Sequence, residues 1–117
     1  MKIKKVTVLG AGLMGHGIAQ VAAQMAKYEV ALRDVKQEFL DNGMKMISGS
    51  LQRFLDKGKT SGEEMEKILD RINPTVNLRE AVTDAGLIIE AVPESVDLKK
   101  TVLMEVDKVA KKDAVIA

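Results

Sequence analysis

The chain opens on a short run in which Val6, Thr7, Val8 and Leu9 leave almost no polar gap. A strand with one wet face alternates apolar and polar residues. A near-continuous run suits burial on both faces, so Lys4 to Leu9 is predicted to be a strand inside a parallel sheet. From Leu13 to about Ala26 the period changes: Met14, Ile18, Val21, Ala22 and Met25 recur at helical spacing, with small alanines between them that let a helix lie close on a sheet. "YEVALR", Tyr28 to Arg33, predicts a second strand that ends at Asp34 and completes a strand–helix–strand unit.

A longer helix is predicted over Gln37 to Lys57, with Leu40, Met44, Ile47, Leu51, Phe54 and Leu55 along one stripe and Gly58 closing it. "TSGEEMEKILDRI" predicts its hairpin partner: Ser61 as N-cap, Glu63 and Glu64 in the first turn, and Met65, Ile68, Leu69 and Ile72 buried, with Pro74 as the stop. Beyond it, "TVNL" reads as a short strand, "REAVTDA" as a helical turn, and Leu87 to Val92 as an apolar strand ended by Pro93. Ser95 is placed to cap a last helix, Val96 to Lys111, packed through Val102, Leu103, Val106 and Val109, before "AVIA" begins another strand. Alternating strands and helices make an α/β protein with a doubly wound parallel sheet, and the helical hairpin after the second strand is expected to project from it.

Composition narrows the function classes. A single domain of 117 residues with net charge +1 has no excess of positive charge for nucleic acid, and no apolar stretch approaches membrane-spanning length. With no cysteine and one histidine, thiolate metal sites and disulfides are excluded. The basic start "MKIKK" leads straight into glycines, unlike a signal peptide, so the chain is expected to be soluble, untargeted and cytoplasmic.

The chemistry lies in "VLGAGLMGHGIAQ", Val8 to Gln20. Gly10, Gly12 and Gly15 follow a predicted strand, open a predicted helix, and precede Asp34 by about 20 residues, the combination expected of a Rossmann dinucleotide site. Gly10 permits the tight turn, Gly12 lets backbone approach a pyrophosphate, and Gly15 lets the helix pack on the strand, while the helix N-terminus offers free N–H groups. Asp34 would accept hydrogen bonds from the adenosine ribose and repel a 2′-phosphate, which favours NAD over NADP, with Arg33 directed outward to solvent. His16 sits in the first helical turn at the pyrophosphate end, away from hydride chemistry, and is read as a phosphate-lip or exposed histidine rather than a general base. The bland alternative is a glycine turn that binds nothing.

"GAGLMGHGIAQ", "LRDV", "SLQRFLDKGK" and "IIEAVPESVDLKK" together resemble the NAD-binding domain of the 3-hydroxyacyl-CoA dehydrogenases of fatty-acid β-oxidation, including the 3-hydroxybutyryl-CoA enzymes, over nearly the whole chain. The resemblance implies that Gly10, Ala11, Gly12, Leu13, Met14 and Gly15 form the pyrophosphate loop and Asp34 the ribose acid. It places Ala91 and Val92 near the riboses and Glu94 and Lys99 at the nicotinamide half of the cofactor. It assigns Ser50 and Lys57 to coenzyme A. Residues seven apart return to one helix face, so that pair can act together; taken without the resemblance, they read as a surface serine and a solvated helix-end lysine.

The family continues past "AVIA" into a serine-asparagine-threonine segment, a histidine–glutamate pair for proton transfer, and a helical domain with dimer contacts. The chain is therefore expected to be an incomplete NAD-binding domain, inactive alone, whose partners are an acyl-CoA substrate, the missing C-terminal domain and, in the intact enzyme, a second subunit. The alternatives left open are a non-catalytic NAD(H)-binding module and a Rossmann dehydrogenase for another hydroxy acid. Lys27 stands where relatives place a helix-ending glycine, so that turn is expected to be strained or reshaped.

Overall fold

The computed structural model describes residues 4–91, 106, 110 and 114–116. In chain order these residues form β1 (Lys5–Leu9), α1 (Leu13–Gln24), β2 (Glu29–Arg33), α2 (Gln37–Asp56), α3 (Gly62–Asp70), β3 (Ile72–Thr75), α4 (Leu78–Val82), β4 (Leu87–Glu90) and β5 (Val115–Ile116). The five strands form one parallel sheet in the order β3-β2-β1-β4-β5.

The apolar run of β1 is explained by helices on both faces. Val6 and Val8, with Val30 and Leu32 of β2, join one buried cluster that includes Ala19 and Ala23 of α1, Leu40, Ile47 and Leu51 of α2, and Ile68 of α3. Leu9 points the other way, into a second cluster with Leu78, Val82, Ala85, Ile88 and Val106. Thr7 shares that second face, and its hydroxyl donates to the Ala81 carbonyl, which satisfies a buried polar group by tying β1 to α4. The hairpin of α2 and α3 is inserted after β2 as the sequence predicts, and its apolar stripe anchors it on α1 and the sheet.

α1 meets the sheet differently from its sequence pattern. The buried residues are Gly15, Ala19, Gln20 and Ala23, whereas Met14, Val21 and Met25 are 63%, 59% and 75% exposed. Gly15, Ala19 and Ala23 are spaced by four, so they form one narrow stripe of small residues that brings the helix axis close to the strands. The larger apolar side chains are thereby rotated outward; only Ile18 and Ala22 of the expected stripe pack at its flank.

The end of α3 also departs from expectation. The helix stops at Asp70, and Ile72 begins β3 rather than completing the helical stripe. Pro74, expected as a stop before a "TVNL" strand, sits inside β3 opposite Leu32. β3 is the sheet edge, where a residue without an N–H costs least. Arg71, at the junction, donates from its guanidinium to the Ala23 carbonyl at 2.9 Å and so covers the C-terminal end of α1 with a cation.

α2 closes with a Schellman motif: Lys59 N–H bonds the Phe54 carbonyl at 2.9 Å, Gly58 N–H bonds that of Leu55 at 2.9 Å, and Gly58 takes φ +71°. The turn after α1 has no such glycine, and Lys27 adopts φ +58° in its place. A left-handed side chain costs roughly 1–2 kcal/mol, so Lys27→Gly is expected to stabilise the chain by about 0.5–1 kcal/mol, net of the extra freedom glycine gives the unfolded state. A urea titration checks this; an unchanged or lowered midpoint would show that the turn carries no strain.

Candidate functional site

The site sits at the C-terminal edge of the sheet, where the strand order reverses. Leu9 is in register with Arg33 on one side and Glu90 on the other, so the residues that follow, Gly10, Asp34 and Ala91, emerge next to one another. From β1 the chain winds to β2 and β3 in one direction and to β4 and β5 in the other, which opens a crevice beyond the strand ends. Gly10 N–H donates to the Arg33 carbonyl at 2.7 Å and Ala91 N–H to the Leu9 carbonyl at 2.8 Å, holding the three strand ends in line.

Each glycine of the loop meets a separate demand. Gly10 has φ +110°, a conformation open to glycine and strained for other residues. Gly15 is confined by contact: a Cβ there would lie 1.7 Å from the Gly10 carbonyl oxygen and 3.6 Å from the Ala91 Cβ. Gly12 is different again, with φ −73° and nothing within 4 Å of an added Cβ. Its backbone faces open space, as a wall that a ligand approaches should. A fourth glycine lies outside the loop motif: at Gly43 in α2, a Cβ would stand 2.8 Å from the Ala11 carbonyl oxygen, so α2 is pressed against the back of the loop. Its signal was a glycine within an otherwise regular helix.

The N-terminus of α1 is bare. Gly12 is the N-cap, with no side chain bonded to the free N–H groups and no acid in the first turn. The other described helix starts carry acids there: Glu38 in α2, Glu63 and Glu64 in α3, and Glu80 in α4. α3 and α4 also have side-chain caps, Ser61 accepting from Glu64 N–H and Asn77 from Glu80 N–H. A helix start that lacks both its own anion and its own cap leaves donors and positive potential for a phosphate.

Asp34 lies at the lip, half-buried, accepting from Ala11 N–H at 2.9 Å and from Val35 N–H at 2.7 Å. The two bonds orient the carboxylate, and each oxygen keeps acceptor capacity for a hydroxyl pair. Arg33 turns away, its Nε donating to the Val76 carbonyl at 3.2 Å. The Arg33 guanidinium is therefore directed away from the Asp34 carboxylate. Leu13 and Met14 are exposed beside Gly12, and Ala11 is buried behind them. His16 Nδ1 lies 2.9 Å from the Gly12 carbonyl. Because a carbonyl only accepts, Nδ1 carries the proton, and the ring braces the loop.

Between α1 and α2 runs an open groove of about 860 Å³. The outward residues Leu13, Val21 and Met25 of α1 form one wall, and Met46, Ser50, Arg53 and Phe54 of α2 form the other. Ser50 lines this groove, as does Lys59; Lys57 is the exposed C-cap of α2 and stands outside the lining. The structure thus brings Gly10 to Gly15, Asp34 and Ala91 together and sets Ser50 in the adjoining groove. Val92, Glu94 and Lys99, and the helix expected from Val96, lie outside the described residues apart from Val106 and Ala110.

Comparison with known proteins bears on the whole chain. Residues 5–117 match the family model for the 3-hydroxyacyl-CoA dehydrogenase NAD-binding domain. The chain is 41% identical over 98% of its length to the fatty acid oxidation complex subunit alpha of Idiomarina loihiensis, of which it spans 16%. It is 39% identical to a probable 3-hydroxyacyl-CoA dehydrogenase of Caenorhabditis elegans, again over 98% of the chain and 38% of that protein. Among solved structures, FadB2 of M. tuberculosis superposes with a TM-score of 0.93 at 35% identity, covering 99% of this chain and 40% of that one. The (S)-3-hydroxybutyryl-CoA dehydrogenase from Ralstonia eutropha gives 0.92 at 29% identity, over 98% and 40%. Well under half of each of these longer proteins is matched. With a bare helix start, a glycine loop and a strand-end acid in one crevice, and a family match from residue 5 to residue 117, the chain belongs to the NAD-binding domains of the 3-hydroxyacyl-CoA dehydrogenases.

Proposed function

We propose that this chain is the cofactor-holding part of an L-3-hydroxyacyl-CoA dehydrogenase, which interconverts the 3-hydroxyl and 3-keto groups of an acyl-CoA in fatty-acid β-oxidation. The observation that carries this reading is the adjacency of two features: the uncapped α1 N-terminus with Asp34 beside it, and the groove that leaves that same helix and carries Ser50. NAD⁺ supplies the hydride acceptor when bound. The chain's own residues do the rest of its share: the loop amides of Gly12 to Gly15 hold the pyrophosphate, and Asp34 accepts from the adenosine ribose hydroxyls.

Ala91 and Val92 flank the cofactor at the end of β4, with Glu94 and Lys99 assigned to its nicotinamide half. Ser50, from within the groove, and Lys57, the exposed C-cap of the same helix, contact the coenzyme A portion of the substrate. The groove is of a size suited to a flexible organic ligand. Its Arg53 and Lys59 add cationic contacts for the phosphates. Proton transfer falls to groups elsewhere in the longer, dimeric protein; His16 is committed to the Gly12 carbonyl at the wrong end of the cofactor.

Loss of the Asp34 carboxylate should remove charge-assisted hydrogen bonds of about 1.5–3 kcal/mol, a tenfold or larger loss of NADH affinity. His16→Ala should change that affinity less than about threefold, within the worth of one exposed neutral hydrogen bond. NADH fluorescence titration of both variants checks the roles, and equal losses would refute them. The wild-type chain should also favour NADH over NADPH in the same titration. For the substrate side, acetoacetyl-CoA added to the NADH-bound chain should shift the amide resonances of residues 50–57 while NADH is not consumed. Steady NADH oxidation by the chain alone would overturn this division of labour.

A further inference from the structure

Resting on the reading that the groove takes coenzyme A, we propose that Gln20 is a positioning residue that turns Ser50 into a hydrogen-bond donor toward the groove. Gln20 is only 8% exposed, on the buried side of α1 among alanines, where an amide is an unusual choice. Its Nε2 lies 3.0 Å from Ser50 Oγ and 3.2 Å from Gln24 Oε1. Nε2 donates to both oxygens, which spends both amide hydrogens.

A serine hydroxyl can present either its proton or its lone pairs to a ligand. Here one lone pair is taken by the Gln20 amide, so the proton of Ser50 is not spent on Gln20 and is left for another acceptor. Ser50 and Gln20 both line the groove, so the acceptor left to that proton is a ligand seated there. The acceptor it meets is an oxygen without a proton, the carbonyl or phosphate type that coenzyme A carries along its length, and a neutral donor at that point of the ligand is disfavoured. A half-buried serine that rotated freely would show neither bias. Gln20 is thus a specificity element that works from α1 through a residue of α2.

The test reverses the polarity. Gln20→Glu keeps the size but offers Ser50 an acceptor, so the hydroxyl proton turns inward and lone pairs face the groove. The added negative charge also repels an anionic ligand, and that part persists in a Ser50→Ala background. Coenzyme A binding to the NADH-saturated 117-residue chain is measured by calorimetry for wild type, Gln20→Glu, Ser50→Ala and the double variant, with NADH affinity as the control for folding. The expected result is a loss of about tenfold or more for Gln20→Glu when Ser50 is present, and of no more than about threefold in the Ser50→Ala background. Gln20→Met, which removes the polarity without adding charge, should cost about threefold with Ser50 and nothing without it; that cycle decides the matter if Gln20→Glu loses NADH binding. Equal losses in the two backgrounds, or no loss, would overturn the role of Gln20 while leaving the coenzyme A reading intact. Failure of the wild-type chain to bind coenzyme A would overturn the reading and this role together.

Discussion

The contact on which the C-terminal edge of the sheet depends is the approach of Gly15 to the carbonyl of Gly10. An added Cβ would overlap that oxygen at 1.7 Å, so the first turn of α1 rests directly on the end of β1. The approach aims the unbonded N–H groups of the helix across the strand ends. It sets Ala91 beside them, and leaves Asp34 close enough to accept from Ala11 N–H at 2.9 Å. A wider turn would move the helix dipole off the crevice and break the line of Gly10, Asp34 and Ala91. Gly43 presses from behind by the same means, since side-chain volume at either position would have to be absorbed by moving backbone.

The same closeness shapes the groove. A helix that meets its sheet through Gly15, Ala19 and Ala23 turns its bulkier residues away, and Leu13, Val21 and Met25 become one wall of an apolar channel whose other wall is α2. Cofactor crevice and groove are therefore two faces of one packing decision, and they meet at the residues that follow Gly12. Gln20 is the polar exception on the buried side, linking the two helices at the level of Ser50.

Much of this was legible in the chain. The near-continuous apolar run of β1, the spacing of Gly10, Gly12 and Gly15, and Asp34 at the end of β2 placed the sheet and the cofactor loop, because each reports a local backbone demand. The orientation of α1 was not. Periodicity finds an apolar arc but cannot say whether a sheet prefers the large residues on it or the small ones beside it, and Met14, Val21 and Met25 lie on the losing side. Pro74 was read as a stop because its missing N–H is a local fact, whereas its tolerance at an edge strand depends on sheet order. Ser50 was found through resemblance, while Gln20, 30 residues away, was invisible until the helices were placed together. At Lys27 the expectation of a strained or reshaped turn comes from the glycine that relatives place there, and the left-handed φ of +58° is the strained form.

A dinucleotide pyrophosphate seated as proposed lies against the loop amides from Gly12 to Gly15. An amide-resolved NMR titration of the chain with ADP-ribose tests it most directly, because that ligand carries the pyrophosphate and adenosine ribose without nicotinamide. Gly12, Leu13, Met14 and Gly15, together with Val35 beside the Asp34 carboxylate, should show the largest shifts, saturating along one binding curve, while the α3 amides stay in place. Saturable binding that left the four loop amides unmoved would contradict it.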